Sequence, residues 1–200
     1  MAKKIGDRIS MEDHEKSSTV VILPKRVLWK DILLISWVVC FSFAGLYVIY
    51  LLFFGGINEL KVGENFDQDI REQQIIYLAI FTGFWFYFEY VTLKTMLWYL
   101  FGKELIMIDT EGLWVKRSIL SYGKSHRFFF ENIKKLRYEK GDDTSLNQFL
   151  NNAYWSLGSD ALFLEYKTKK KSFGRRLEEK EAKLLLRYIN DRMKKWRRKS

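Results

Sequence analysis

A chain of 200 residues and 24.0 kDa is long enough for one small domain, with or without membrane-spanning segments. The single cysteine, Cys40, excludes an internal disulfide framework, and only two histidines argue against a Cys/His zinc site. The formal net charge is +10, while one proline and 17% aromatic residues argue against a disordered chain.

The first long apolar segment, residues 32–54, contains 23 residues without a charge. As an α-helix it extends about 35 Å, more than the roughly 30 Å of a hydrocarbon core. A signal peptide would have a shorter apolar stretch that ends at a small-residue cleavage site, and Phe53-Phe54-Gly55-Gly56 is a poor one. We therefore predict a transmembrane helix that follows an N-terminal arm over residues 1–31.

The second apolar segment, residues 75–101, carries only two charges, Glu89 and Lys94. Lys94 is expected at the membrane face, where its long side chain reaches water, with Trp98 and Tyr99 nearby as interfacial aromatics. We predict a second transmembrane helix with an interfacial extension. Residues 55–74 then form an acidic external loop between the two helices.

The distribution of Lys and Arg predicts the orientation. Residues 1–31 contain seven basic residues, and the chain after Leu100 contains 24 against 13 acidic ones. The 55–74 loop has two basic residues and five acidic ones. Because basic flanks stay inside, we expect an integral protein of the bacterial inner membrane with two spans and both termini in the cytoplasm.

Residues 102–200 are predicted to form a cytoplasmic soluble domain, because the pattern changes to short alternating strands. Strands are predicted at residues 104–109, 112–119, 125–130, 133–139, 161–167 and 170–173, with a less regular one near 149–155. A helix follows from Leu177. Its apolar stripe is formed by Ala182, Leu185, Ile189, Met193 and Trp196. The fold class is a membrane α-helical hairpin plus an α+β domain, in which an antiparallel barrel of six to seven strands is closed by the C-terminal helix.

Several segments of the soluble half also carry a family resemblance. They are Gly102-Lys103-Glu104, Gly112-Leu113, residues 128–135, residues 163–173 and Glu179 with Glu181-Ala182. In this order they resemble the pleckstrin-homology-like (PH-like) domains of small bacterial membrane proteins. The whole plan, over about residues 30–195, is similar to the photosystem I assembly factor family of chloroplasts and cyanobacteria. The resemblance implies a PH-like barrel that serves as a non-catalytic binding or assembly platform.

The first candidate site is a basic run at the C-terminus. It consists of Arg192, Lys194, Lys195, Trp196, Arg197, Arg198 and Lys199. Beside anionic lipid each Lys or Arg gains about 1 kcal/mol, and Trp196 would add an interfacial anchor. The alternative is a solvated helix end. A second basic site, Arg175 and Arg176 with the lysines of residues 169–171, is a candidate contact for a phosphate headgroup or a phosphorylated partner; the alternative is ordinary loop charge.

Two candidate sites lie within the second apolar segment. Glu89 is costly in a membrane, so we assign it a contact with a basic residue of a partner span; protonation or snorkelling is the alternative. Residues 84–90 contain six aromatics in seven positions. These are interpreted as lipid-facing and packing residues, with contact to a pigment, a quinone or a neighbouring subunit left open.

An enzymatic function is not expected. The sequence has no Gly-rich phosphate loop, HExxH, GxSxG or CxxC motif. We therefore predict no catalytic residue, no metal and no cofactor, and neither nucleic acid nor a small-molecule substrate as ligand. The predicted function is an accessory protein that assembles or stabilises a membrane protein complex; the alternative is a module that senses anionic lipid headgroups or a signal.

Overall fold

The computed structural model describes residues 3–54, 68–139 and 157–198, except for the side chains of residues 68–71. Two compact units result, the hairpin (residues 28–96) and the β-domain (residues 1–27 and 97–200). The elements are β1 (Lys3–Ile5), β2 (Ile9–Asp13), β3 (Ser18–Ile22), α1 (Leu28–Phe53), α2 (Gln68–Phe101), β4 (Gly102–Ile108), β5 (Gly112–Ile119), β6 (Ser125–Phe129), β7 (Ile133–Tyr138), β8 (Asp160–Tyr166), β9 (Lys169–Arg175) and α3 (Glu179–Arg197).

Strands β1 to β6 form one antiparallel sheet in which each strand lies beside its neighbour in sequence. The pairing of β3 with β4 joins strands that are far apart along the chain, with Val20 opposite Ile106. Both side chains are fully buried. The helical hairpin is therefore inserted, in chain order, between two adjacent strands of one sheet.

The N-terminal region contains three strands. The sequence predicted only an arm over residues 1–31, without strands. Ile9, Met11, Val20 and Ile22 are each at most 3% exposed and belong to the core of the β-domain. These strands are only three to five residues long, and turns rich in charged residues separate them. Their alternation of apolar and polar residues covers few positions, so it is a weak sequence signal. The pairing with β4 is what fixes their register.

Strands β7, β8 and β9 form a second, three-stranded antiparallel sheet. The strand pairings in the described part of the chain give two separate sheets and no closed barrel, so the expected barrel is replaced by a two-sheet arrangement. The α+β class and the strands predicted from residue 104 to 139 and from 161 to 173 are confirmed within a few residues. The strand predicted near 149–155 lies outside the described residues.

Helix α3 packs its predicted stripe into the core between the sheets. Its five stripe residues are between 0 and 7% exposed. At its beginning, the Glu178 backbone N–H donates to Glu181 Oε2 at 2.9 Å, which satisfies one of the free amides of the first turn. Acidic residues occupy the first turn and basic residues the last, an arrangement that the helix dipole favours.

The two long helices are each long and apolar enough to cross a membrane. The mean hydropathy is 2.4 for α1 and 1.4 for residues 72–101 of α2. Helix α2 begins at Gln68, earlier than the predicted residue 75. Trp98 and Tyr99 are only 6% and 2% exposed within the β-domain, so the expectation that they form an interfacial belt is wrong. The last turn of α2, from Leu97 onward, belongs to the β-domain.

Candidate functional site

The contact between α1 and α2 is centred on Trp85. Its indole N–H donates to the Phe41 carbonyl oxygen at 2.9 Å. Gly45 lies under the ring so closely that a Cβ there would be 1.8 Å from a ring carbon. A close fit between a glycine and a tryptophan therefore fixes the two helices against each other. Ala79 and Gly83, two small residues spaced four apart on α2, match a common helix-packing pattern but do not take part in this contact. Both are exposed, and no atom beyond the local helix backbone lies within 4 Å of a Cβ built on Gly83.

Glu89 faces the other helix of its own hairpin. Its Oε1 accepts a hydrogen bond from Ser42 Oγ at 2.5 Å. Its Oε2 is buried and has no hydrogen-bond partner among the described residues. The structure thus gives Glu89 an internal partner on α1 that the sequence did not indicate. Contact with a partner span stays a prediction.

The aromatic run from Phe84 to Tyr90 divides into one buried ring and five exposed ones. Trp85 is 6% exposed, whereas the others are between 53 and 64% exposed: Phe84, Phe86, Tyr87, Phe88 and Tyr90. Only one of the six aromatic side chains is therefore used to hold the hairpin together. The remaining five form an outward aromatic surface on α2.

A buried carboxylate organises the polar part of the β-domain. Glu104, 1% exposed, stands opposite Arg117 across β4 and β5. Its Oε1 accepts from Arg117 Nε at 2.9 Å, and its Oε2 accepts from the backbone N–H groups of Gly174 (2.9 Å) and Arg175 (3.1 Å). Arg117 Nη2 also lies 2.8 Å from Asp160 Oδ1. Burial acts to lower the pKa of Arg117, but these two carboxylates raise it above its ordinary value, so the guanidinium stays charged.

Arg175 and Arg176, the candidate anion contact, stack on the end of α2. The Arg175 guanidinium lies 4.7 Å from the centre of the Trp98 ring, and that of Arg176 lies 5.6 Å from Tyr99. Burial, together with the nearby charge of Arg117, lowers the pKa of Arg175. The cavity beside both arginines has a volume of about 10 Å³, the size of one water molecule. This cavity offers no space for an anion, although the anion contact itself stays untested.

The comparisons with known proteins come out negative. No protein-family model, curated protein or solved structure matches this chain. Within the described residues, no group of three or more His, Cys, Asp or Glu side chains is placed to hold a metal ion. The function is therefore inferred from the chain's own residues.

The C-terminal basic run is divided by the fold. Trp196 is 2% exposed and donates from its indole to Ser18 Oγ at 3.1 Å, so it is a core residue and its predicted role as an interfacial anchor is wrong. Arg192 pairs with Asp13 at 2.5 Å, and Arg197 donates to the Phe130 carbonyl oxygen at 2.8 Å. The exposed members are Lys194, Lys195, Arg197 and Arg198, for which lipid contact stays a prediction. Lys199 lies outside the described residues.

Polar contacts that join the two ends of the chain were not predicted from the sequence. Arg8, just before β2, binds both carboxylate oxygens of Glu181 on α3, at 3.0 and 2.5 Å. Burial acts to raise the pKa of Glu181, but the hydrogen bonds from Arg8 and from the Glu178 amide lower it below its ordinary value. In the middle of α3, Tyr188 donates to Asp13 Oδ1 at 3.0 Å. Neither contact has a sequence signal, because its partners are more than 170 residues apart.

Proposed function

We propose that this chain is an integral membrane accessory protein that acts by binding, without catalysis. In this proposal α1 and α2 span the bacterial inner membrane, and the β-domain and both termini lie in the cytoplasm. The protein helps to assemble or stabilise a membrane protein complex. The observation that carries the proposal is the insertion of an apolar, outward-facing hairpin between two paired strands of a folded domain.

A signal peptide and a soluble core helix both agree less well with the fold than a membrane hairpin does. Cleavage of α1 as a signal peptide would remove β1, β2 and β3 from their sheet, including the fully buried Val20. A core helix of a soluble protein would be covered on most sides. Yet only 17% of the most apolar window of α1 and 11% of that of α2 is buried. Both observations support two membrane spans.

The connectivity supports a specific topology. Because β3 and β4 pair with each other, both ends of the hairpin lead into one folded domain. A folded domain lies on one side of a bilayer, so the hairpin has to cross it an even number of times. The positive charge of residues 1–31 and 102–200 supports the cytoplasmic side.

The outward aromatic surface of α2 supports a partner within the membrane. All but five of the large hydrophobic side chains that are exposed in the described chain belong to residues 28–101. Lipid would satisfy any apolar side chain, but Phe86, Tyr87 and Tyr90 lie within about 100° of the helix circumference and also provide a rigid surface for a neighbouring span. We place the contact with the partner complex on this surface.

The β-domain is proposed to be a PH-like domain with an insertion. Strands β3 to β9 supply seven antiparallel strands that precede a C-terminal helix, as in the resemblance, but β3 lies before the hairpin, whereas the resemblance implies that all the strands follow it. In this interpretation β1 and β2 extend the first sheet, and the hairpin enters between the first and second strands of the PH-like order. Such domains are implied to be binding platforms, which agrees with a non-catalytic role.

Native purification in a mild detergent tests the proposed function. We expect the full chain to co-purify with a membrane protein at a fixed stoichiometry. Replacing Phe86, Tyr87 and Tyr90 on α2 by leucine keeps the helix apolar but removes three rings of the outward surface. We expect this variant to lose most of the partner.

The matched control replaces Phe43, Tyr47 and Tyr50, three exposed aromatics of α1, by leucine. This control should retain the partner, because the proposed contact is on α2. Wild-type protein that carries no membrane partner at fixed stoichiometry would contradict the assembly role. Equal retention by both triple variants would contradict the α2 contact.

A further inference from the structure

The β-domain contains a cleft lined by basic side chains between the inner faces of its two sheets. Its volume is about 340 Å³, within the range of small-molecule sites. The cationic side chains at its wall come from β5, β6 with the turn before it, and β9. They are Arg117, Lys124, His126, Lys170 and Lys171, of which the histidine counts only when protonated.

Three of these residues continue the inner faces of the two sheets at the mouth of the cleft, where those faces become accessible. Arg117 follows the buried Leu113 and Val115 at alternate positions of β5, and His126 stands opposite Val115 on β6. Lys171 stands opposite the fully buried Leu164 on β8. Since residues at alternate positions share one face, all three point to the inner side of their sheets. Arg117 is partly exposed and the other two are exposed, so the inner faces end in basic rather than apolar side chains at the mouth of the cleft.

The positive charge of the cleft is only partly neutralised. Arg117 is paired with Glu104 and Asp160, and Lys170 is paired with Glu139. Among the described residues, neither Lys124 nor Lys171 forms an ion pair. Two lysines that face a concave site without acidic partners raise the local concentration of anions. The floor between them is apolar: Val115, Phe128 and Phe173.

The turn between β5 and β6 places Lys124 at this site. Leu120 and Ser121 adopt positive φ values of 50° and 72°, which is costly for residues other than glycine. Gly123 follows, and a Cβ there would be 1.8 Å from the Arg117 carbonyl oxygen. The same turn exposes Leu120 and Tyr122, which are 55% and 86% accessible.

We propose that this cleft binds a phosphate-bearing ligand, with Arg117 and Lys171 as the principal contacts and Lys124 and His126 at the rim. The Arg117 guanidinium is held at Nε and Nη2 by Glu104, Asp160 and the Ser172 carbonyl oxygen, so Nη1 supplies the directed donors. The two lysines supply mobile charge. A phosphate dianion offers three acceptor oxygens that match this set. The ligand is either a soluble phosphate compound or the phosphate of a lipid headgroup. The site is separate from the surface of α2 that the proposed function uses.

Titration calorimetry on the full chain in a non-ionic detergent tests the site, with inorganic pyrophosphate as the probe. We expect saturable binding of one pyrophosphate per chain. Lys171→Gln and Lys124→Gln should each raise the dissociation constant by about tenfold, because each removes a charge-assisted hydrogen bond. Both side chains are exposed, so neither change disturbs the core.

The matched control is Lys116→Gln on the same strand as Arg117 but on its opposite face. It changes the net charge equally and should alter the dissociation constant by less than about twofold. The absence of saturable binding would overturn the proposal. So would an equal effect of all three substitutions, because the attraction would then come from the net charge alone.

Reconstitution in nanodiscs distinguishes the two sources of the phosphate. Pyrophosphate is titrated in discs of phosphatidylcholine with either phosphatidic acid, a phosphomonoester, or phosphatidylglycerol, a phosphodiester. If the ligand is lipid-borne, phosphatidic acid competes and raises the dissociation constant several-fold above its value in phosphatidylglycerol. Equal constants in the two kinds of disc assign the cleft to a soluble phosphate compound.

Discussion

At the scale of single residues, the burial and hydrogen bonds of a charged side chain show whether it holds the fold together. Glu104 accepts one hydrogen bond from Arg117 and two from backbone amides of β9, so a single carboxylate joins the two sheets. From the sequence alone, Glu104 is not distinguishable from the other acidic residues of the predicted strands. Only its 1% exposure and the convergence of three donors identify it as a central contact.

We predict that Glu104→Gln destabilises the β-domain by about 3 kcal/mol, since it leaves Arg117 with one carboxylate fewer and sets an amide N–H₂ against buried donors. The measurement is urea unfolding of the detergent-solubilised chain, followed by tryptophan fluorescence. Glu12→Gln is the control, because the Glu12 side chain is 58% exposed, and it should cost less than about 0.5 kcal/mol. Equal effects of the two substitutions would show that the Glu104 contacts are not important for stability.

At the scale of elements, the hairpin depends on one close approach rather than on a long small-residue motif. Leu34, Val38 and Gly45 of α1 are buried, and Trp85 is the one buried aromatic of the 84–90 run. The small-residue spacing of Ala79 and Gly83 fits a known packing pattern, yet the helices meet elsewhere. Spacing alone does not tell which face of a helix meets its neighbour, since both helices are apolar all round.

The two glycines of the hairpin provide a matched pair of substitutions. Gly45→Ala should destabilise the hairpin by about 1–3 kcal/mol, because the new Cβ overlaps the rigid Trp85 ring. Gly83→Ala should be neutral or stabilising by up to about 1 kcal/mol, because no neighbour obstructs it and alanine favours a helix. The check is the midpoint of thermal unfolding in a mild detergent. If the two variants have the same midpoint, the helices do not meet at Gly45.

At the scale of the whole molecule, the pairing of β3 with β4 adds a structural constraint on the membrane topology. The positive-inside rule assigns each flank to a side of the membrane from its charge. The strand pairing adds that residues before α1 and after α2 belong to one folded domain and therefore lie on the same side. The two arguments are independent: the strand pairing places both flanks on one common side, and the charge rule predicts that this side is the cytoplasm.

Labelling of single cysteines tests this topology. In a Cys40→Ser background, Glu15→Cys and Arg187→Cys place thiols at exposed positions of the β-domain, and Glu64→Cys places one in the loop between the apolar segments. In intact cells a membrane-impermeant maleimide should label only Glu64→Cys. All three should react after permeabilisation. Different accessibility of positions 15 and 187 would contradict the shared domain, and labelling of both in intact cells would reverse the orientation.

The sequence by itself determined the two long apolar helices, most strands of residues 102–175 and the buried stripe of α3. These features depend on local periodicity and composition, which are visible within one segment. Only the tertiary structure decided that residues 3–22 belong to the same sheet as β4, that Trp196 is a core residue, and that Glu89 meets Ser42. Each of these depends on a contact between segments far apart in the chain, and a short strand or a lone polar side chain acquires its role only from the partner it meets.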